Sequence, residues 1–203
     1  ILDGGILCTR NNVAEAINNH VASIFPGEEE WVANSADHLC DEDCEVNIPT
    51  EYLNNQMPTG LPPHQLRLKE GMPVMLLRNL DPYERLCNGT RLIVKKVVGN
   101  VLVATHHVDG EERTVMIPRI PLLPKDNDYP FKWTRRQFPV RLAFAMTVNK
   151  SQGQTFRGRV GVFLPEWVFG HGQLYVAESR VVHPDNIRFC VLHRPPEMAE
   201  VGR

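Results

Sequence analysis

Apolar and polar positions alternate in two textures along this chain. "GILCT" is a short apolar run. In "NNVAEAINNHVASIF", which follows, Val13, Ala16, Ile17, Val21 and Ile24 fall at helical spacing, and Asn11 or Asn12 is placed to cap the start. Strand then helix opens an α/β unit. Residues 26–66 are acidic and proline-bearing, ending in "LPPHQ", and predict no regular element. From Leu66 to Leu123 the texture becomes β: "MPVMLLRN" reads as a buried strand. "NGTRLIVKKVV", "NVLVATHHV" and "ERTVMIPRI" follow as strands, with turn signals at Asn88-Gly89 and Asp109-Gly110. Short strands joined by tight turns predict a small antiparallel barrel or meander. After the polar link "KDNDYPFKWTRRQ", "VRLAFAM" and "VGVFL" read as strands, "GQLYVAESRV" as a helix and "IRFCVL" as a last strand. The pattern predicts one α/β domain, residues 1–65 and 126–203, interrupted by a β-rich insert over 66–125.

Composition changes this picture little. With 203 residues, 42% hydrophobic and 23% charged, the chain can bury a sizeable core as one domain with an insert. No apolar run approaches the roughly 18 residues of a membrane span, so no membrane partner is expected. The start "ILDGGILCTR" has neither Met nor a basic leader, and reads as a chain cut from something longer. Five cysteines without a signal peptide point to reduced thiols in an intracellular compartment. "HLCDEDC" brings His38, Cys40 and Cys44 close together. Zinc would need a fourth ligand with its own spacing, so a polar loop with thiols is the preferred reading. Cys8 and Cys190 lie in apolar runs and are expected in the core.

Net charge is −2, but its distribution is uneven. From Asn11 to Leu66 there is no Lys or Arg. From Phe131 to Leu164 there is no acid, while Lys132, Arg135, Arg136, Arg141, Lys150, Arg157 and Arg159 accumulate. That asymmetry predicts a local basic surface, with a merely solvated face as the alternative.

"TVNKSQGQTF", residues 147–156, follows the predicted strand "VRLAFAM" and is rich in small polar side chains. Ligands of open α/β sheets bind at the carboxyl ends of strands. Thr147, Asn149, Ser151, Gln152, Gln154 and Thr155 supply neutral donors, Lys150 a cation, and Gly153 room for close backbone approach. Neutral donors with one cation suit a phosphate chain, in a nucleotide or in a nucleic-acid backbone.

These residues carry a resemblance. "AMTVNKSQGQTF" resembles motif V of the PIF family of DNA helicases, including the helicases of Helitron-type transposons. "GQLYVAESRV" is similar to its motif VI, "ILCTRNNVAEAIN" to its motif IV, and "GLPPHQLRLKEGMPVMLLRNLDPYERLCNGTRL" to the stretch between motifs IV and V. The resemblance implies the C-terminal half of a superfamily-one helicase moving 5′ to 3′. That half is a RecA-like parallel-sheet motor domain, interrupted by an SH3-like β-barrel insert. It implies ATP and Mg2+ as cofactors, bound mainly by an N-terminal RecA-like domain of the same protein, and single-stranded DNA as partner. It favours the nucleus over the mitochondrion.

Roles follow residue by residue. Arg180 matches the arginine that reaches the γ-phosphate. Gln152, Gly153 and Thr155 match the nucleotide-cleft part of motif V. Thr147, Asn149, Lys150 and Ser151 match the part near the single strand, joined by Thr9, Arg10 and Asn12 of motif IV. Gln173 and Tyr175 are candidates to support the cleft, with core packing an equal reading for Tyr175. No G-x-x-x-x-G-K-[ST] loop occurs in these residues, so the chain reads as half of an ATPase. Glu178 stands where the family usually has Leu. Helical spacing sets it between Leu174 and Val181, on an apolar side where an unpaired carboxylate is costly.

Overall fold

A computed structural model gives the fold and describes residues 3–40, 48–108, 110–124, 129–165 and 172–192. In chain order, β1 (Gly5–Cys8) leads into α1 (Asn11–Ile24). β2 (Trp31–Asn34), β3 (Ala36–Leu39), the short helix α2 (Thr50–Asn54), β4 (Gln65–Leu68) and β5 (Pro73–Leu76) follow. Then come β6 (Arg91–Val98), β7 (Val101–Val108), β8 (Glu111–Pro118), β9 (Ile120–Leu122), β10 (Trp133–Gln137), β11 (Val140–Leu142) and β12 (Ala145–Thr147). A 3-10 turn over Val148–Ser151 separates β12 from β13 (Val160–Leu164). α3 (Gln173–Glu178), a 3-10 turn over Pro184–Asn186 and β14 (Ile187–Val191) complete the order.

The chain divides into two compact units: Ile1–Ile24 with Ala143–Arg203, and Phe25–Leu142. The first is α/β. Its sheet runs β12-β1-β13-β14, and every neighbouring pair is parallel. Gly4 lies so close to β13's approach that a Cβ there would collide with the Arg159 carbonyl oxygen. The sequence places Val13, Ala16, Ile17, Val21 and Ile24 on the inner face of α1. The structure instead buries Ala14, Asn18 and Ala22, with Val13 and Ile17 packed beside them, and leaves Ile24 exposed. Asn18 explains the rotation. β12 is an edge strand, and its backbone at Ala145 needs partners. The Asn18 amide donates to the Ala145 carbonyl at 2.9 Å, and the Ala145 N–H donates to Asn18 Oδ1 at 2.8 Å. One side chain thus does the work of a missing neighbouring strand.

The second unit is antiparallel, with sheets ordered β11-β5-β6-β7-β8, β3-β10-β9 and β2-β4. It is wider than the expected insert of residues 66–125. Residues 26–66, expected to be irregular, supply β2, β3, α2 and β4. β2 and β3 are four residues long and lack a clean apolar alternation, which is why the pattern hid them. A second expectation also fails: "VRLAFAM" is two strands, β11 pairing with β5 and β12 pairing with β1. The chain changes sheet between Leu142 and Ala145, where the two units divide.

Of the acid-free basic stretch, Arg135 is no surface residue. β10 alternates so that Trp133, Arg135 and Gln137 all point inward, each fully buried. Asp37 lies directly opposite on β3, also buried. Arg135 Nη2 donates to Asp37 Oδ2 at 2.7 Å and Nε reaches Oδ1 at 3.0 Å. The remaining N–H groups reach the carbonyls of Leu53 (2.8 Å), Gln56 (3.0 Å) and Pro62 (3.1 Å). Ser35 Oγ donates to Asp37 Oδ1 at 2.7 Å. Gln137 in turn donates to the Ala33 and His64 carbonyls.

Cys8 is buried as expected, and burial pushes its thiol up to about 11 from an ordinary 9.0. Cys190, expected in the core, is exposed, because β14 is the sheet's other edge strand and shows most of its side chains.

Two predictions follow from this packing. Asp37→Ala leaves a buried cation and should lower unfolding stability by about 3–5 kcal/mol, read as a fall in the urea midpoint. Adding Arg135→Met should recover only part of it, since the carbonyls of Leu53, Gln56 and Pro62 then lose their donor. Full recovery would show that the pair, not the carbonyl cluster, carries the stability. For the thiols, a disulfide reagent at about pH 8 should modify Cys40 and Cys190 quickly and Cys8 only on unfolding. Between the ordinary value of 9.0 and the folded value of about 11, the unfolded chain has lost a proton that folded Cys8 keeps. Its contribution to stability should therefore fall as pH rises above that ordinary value. Cys8 labelling in the native chain as fast as Cys40 would contradict this.

Candidate functional site

Cys8 and Thr147 are register partners on neighbouring parallel strands, so the segments that leave β1 and β12 start side by side at the carboxyl end of the sheet. Thr9, Arg10 and Asn12 follow β1; Asn149 to Thr155 follow β12. Open parallel sheets present their ligand sites at this end. Thr9 is half-buried, while Arg10 and Asn12 are exposed. The Arg10 carbonyl accepts from the Ala14 N–H at 3.1 Å, fixing it at the start of α1. The Cys8 thiol faces the Arg10 carbonyl at 3.4 Å and the Met146 carbonyl at 3.5 Å, and its one proton serves one of them at a time.

The 3-10 turn sorts the motif by side. Val148 and Ser151 point inward and are buried, whereas Asn149 and Lys150 are exposed. Ser151 Oγ donates to the Val148 carbonyl at 2.7 Å, so its hydroxyl closes the turn instead of facing a ligand. Thr147 is also buried, at the end of β12. Gln152, Gly153 and Thr155 are exposed. Gly153 has φ +80° and nothing within 4 Å of where a Cβ would sit. The left-handed backbone, not a close approach, requires glycine there.

Arg180 lies two residues beyond α3 instead of on it. Its Nε donates to the Val176 carbonyl at 3.2 Å, Nη1 to the Gln154 carbonyl at 3.4 Å and Nη2 to Ser179 Oγ at 2.9 Å. The Phe156 N–H donates to the Arg180 carbonyl at 2.8 Å, and the Val182 N–H donates to the Phe156 carbonyl at 3.2 Å. A parallel bridge, Phe156 with Val181, therefore ties the loop after β12 to the segment after α3. Buried Phe156 anchors that bridge. Arg180, Gln152, Gly153 and Thr155 are thus brought into one neighbourhood.

Other expectations are corrected. Glu178 is exposed, not set against an apolar side, because the six-residue α3 buries only Ala177 among its residues. Tyr175 is 73% exposed and does not pack in the core. Gln173 Oε1 is buried without a hydrogen-bond partner among the described residues, an acceptor that a bound group's donor could satisfy. Gln152 and Thr155, both exposed, lie in the chain on either side of Gln154, whose carbonyl accepts from the Arg180 guanidinium. Among the described residues no three His, Cys, Asp or Glu side chains stand together as a metal site; Cys44 lies outside the described residues. The Asn18 clasp was missed by sequence reasoning. An Asn in the middle of a helix, where it is a poor former, was its one signal.

Comparison with known proteins matches this arrangement. Residues 51–97 match the family described as DNA helicase Pif1, 2B domain. The chain is 31% identical over 184 residues to the ATP-dependent DNA helicase PIF1 of Xenopus laevis, covering 90% of this chain and 26% of that protein. It therefore spans about a quarter of the length of the curated relatives it matches. In structure it is similar to the Pif1 helicase of Candida albicans, with a TM-score of 0.70 and 26% identity, over 96% of this chain and 46% of that one. It is also similar to the Bacteroides Pif1 helicase solved with ADP-AlF3 and ssDNA, with a TM-score of 0.64 and 26% identity, over 97% and 43%. In sequence and in fold, over nine-tenths of its length, this chain is similar to the PIF-family DNA helicases.

Proposed function

We propose that this chain is the second motor half of an ATP-dependent DNA helicase that moves 5′ to 3′ on single-stranded DNA and unwinds duplex. In this reading the α/β unit is RecA-like and the antiparallel unit is an SH3-like insert. The observation that carries the proposal is the bridge between the loop after β12 and the segment after α3, with Arg180 lying on the Gln154 carbonyl. It joins the loop carrying Gln152, Gly153 and Thr155, which this reading assigns to the nucleotide together with Arg180, to the segment that carries Arg180. The relatives named ATP-dependent helicases, and the neighbour solved with a nucleotide analogue and ssDNA, support the same reading.

The chemistry divides between two halves. ATP and Mg2+ would be held mainly by an N-terminal RecA-like domain, which supplies the phosphate cradle and the metal's carboxylates. This half contributes a charge that completes the site on closure. Arginine suits that task because its planar fork gives two parallel bonds to phosphate oxygens and it stays protonated. In the structure the Arg180 guanidinium rests on neutral acceptors, carbonyls and a hydroxyl. Exchanging those for phosphate oxygens strengthens its bonds without breaking an ion pair. Asn149 and Lys150, turned outward by the 3-10 turn, take the strand's phosphates, with Arg10 and Asn12 beside them. Thr147 and Ser151 shape that turn from below.

Three measurements test the proposal. The 203-residue chain alone should show no ssDNA-stimulated phosphate release from ATP; measurable turnover would contradict the two-half reading. In a protein carrying both halves, Arg180→Ala should lower turnover by about 10³-fold or more, with ssDNA affinity little changed and Arg180→Lys a poor rescue. Retention of more than about a tenth of turnover would assign Arg180 a structural role. Binding of ssDNA should weaken with salt, and Lys150→Ala should reduce the slope of log affinity on log salt by about 0.7. A slope unchanged by that substitution would remove Lys150 from the contact.

A further inference from the structure

The outward face of the sheet β3-β10-β9 has no role in the site above. Inward, it carries Trp133, Arg135 and Gln137; outward, the period of two turns Thr134 and Arg136 to solvent, with Lys132 exposed one step earlier. His38 stands opposite Thr134 and Ala36 opposite Arg136, both exposed; Pro121 on β9 flanks Arg136 from the other side. Pairing extends to Lys132, whose carbonyl accepts from the Cys40 N–H at 2.9 Å. At the far end Arg119 lies over the Phe138 ring at 4.9 Å and donates to the Asn34 carbonyl. Burial, and after it the charge of Arg136, hold the Arg119 guanidinium below its usual range, which marks two cations close together. None of the paired outward positions, Ala36, His38, Thr134, Arg136 and Pro121, is acidic.

We propose that this face is a second binding surface for single-stranded nucleic acid, contacting the sugar–phosphate backbone through Lys132, Thr134 and Arg136. The three side chains stand in a row at about 6.6 Å per step, a spacing that an extended phosphate chain can follow. Cations with a hydroxyl between them match phosphates, and they carry no base-edge readout, so the contact is sequence-independent. The stems of these residues spring from a strand whose inner face is fixed by the Arg135–Asp37 pair, which holds the row in place before binding. The occupant is single-stranded DNA, by charge complementarity and because the proposed motor already handles that strand. The inference rests on that reading.

The test is fluorescence anisotropy of the 203-residue chain with labelled ssDNA across salt, for the wild type and for the double variant Lys132→Ala, Arg136→Ala. Both residues are exposed, so the fold is expected to persist, checked by an unchanged urea midpoint. The expected result is weaker binding, with a salt slope smaller by about 1.4, two phosphates at about 0.7 each. It should add to the separate loss from Lys150→Ala. Wild-type binding with the double variant unchanged would overturn this inference alone. A wild-type chain that does not bind ssDNA at low salt would overturn the DNA reading and this inference with it. Unchanged ssDNA binding together with loss of poly-glutamate binding in the double variant would assign the face to an acidic protein segment and overturn the inference.

Discussion

The antiparallel unit is organised around one buried cation. Arg135 has no access to water, and a guanidinium in an apolar interior is tolerated only when its charge is matched and its N–H groups are bonded. Asp37 supplies the charge; the carbonyls of Leu53, Gln56 and Pro62 supply most of the remaining acceptors. Those carbonyls belong to the end of α2 and to the irregular segment after it, which have few ladder bonds of their own. The cation therefore does two things at once. It fixes β10 against β3 in a single register, since a one-residue slip would turn it out to solvent, and, together with Arg141 and Gln137, it ties down the irregular loop after α2. The Trp133 ring beneath it, 5.1 Å from the guanidinium carbon, joins it to a cluster of Leu53, Leu61 and Leu122.

The same alternation that buries Arg135 exposes Arg136. One run of basic residues is thus divided by strand parity into a structural half and a surface half. Counting charges along the sequence joins them; the period of two separates them. Arg141 belongs with the structural half, donating to the Leu61 carbonyl at 2.6 Å. The unit's acidic start follows the same logic. Asp37 lies within an acidic stretch that reads as solvated loop, but its place opposite Arg135 makes it interior.

How much of this was legible depends on whether a feature is local. The strand–helix opening, the β6-β7-β8 meander and the polar loop after β12 carry their signals within a few residues, and all are present. β2, β3 and α2 were hidden because their stability comes from distant partners, β4, β10 and Arg135. The division of "VRLAFAM" was hidden because a run apolar but for Arg141 looks the same whether it stays in one sheet or passes from one to another. In the motif itself the residue types were legible but not their sides. A 3-10 turn, which the sequence does not announce, decides that Ser151 faces in and Asn149 out. For Glu178, helical spacing was extended over a helix that stops after six residues, and the rule fails where the helix does.

The site depends on an edge strand that ought to be the weakest part of its sheet. β12 is three residues long and has a strand neighbour on one side only. A loop hung on such a strand would fray with it. Asn18 removes that freedom by bonding both backbone groups of Ala145 from the helix that follows β1. The loop's other end is fixed by the Phe156–Val181 bridge, and its middle by the Arg180 bond to Gln154. Between those anchors only Asn149, Lys150, Gln152, Gly153 and Thr155 turn outward. The consequence is mechanical. A force on the outward side chains passes through backbone bonds both to α1 and to the segment that carries Arg180. Under the proposed function, contact with a strand on one side of the loop and with a phosphate on the other would bear on one connected piece of chain. No longer path through the sheet is needed to couple them.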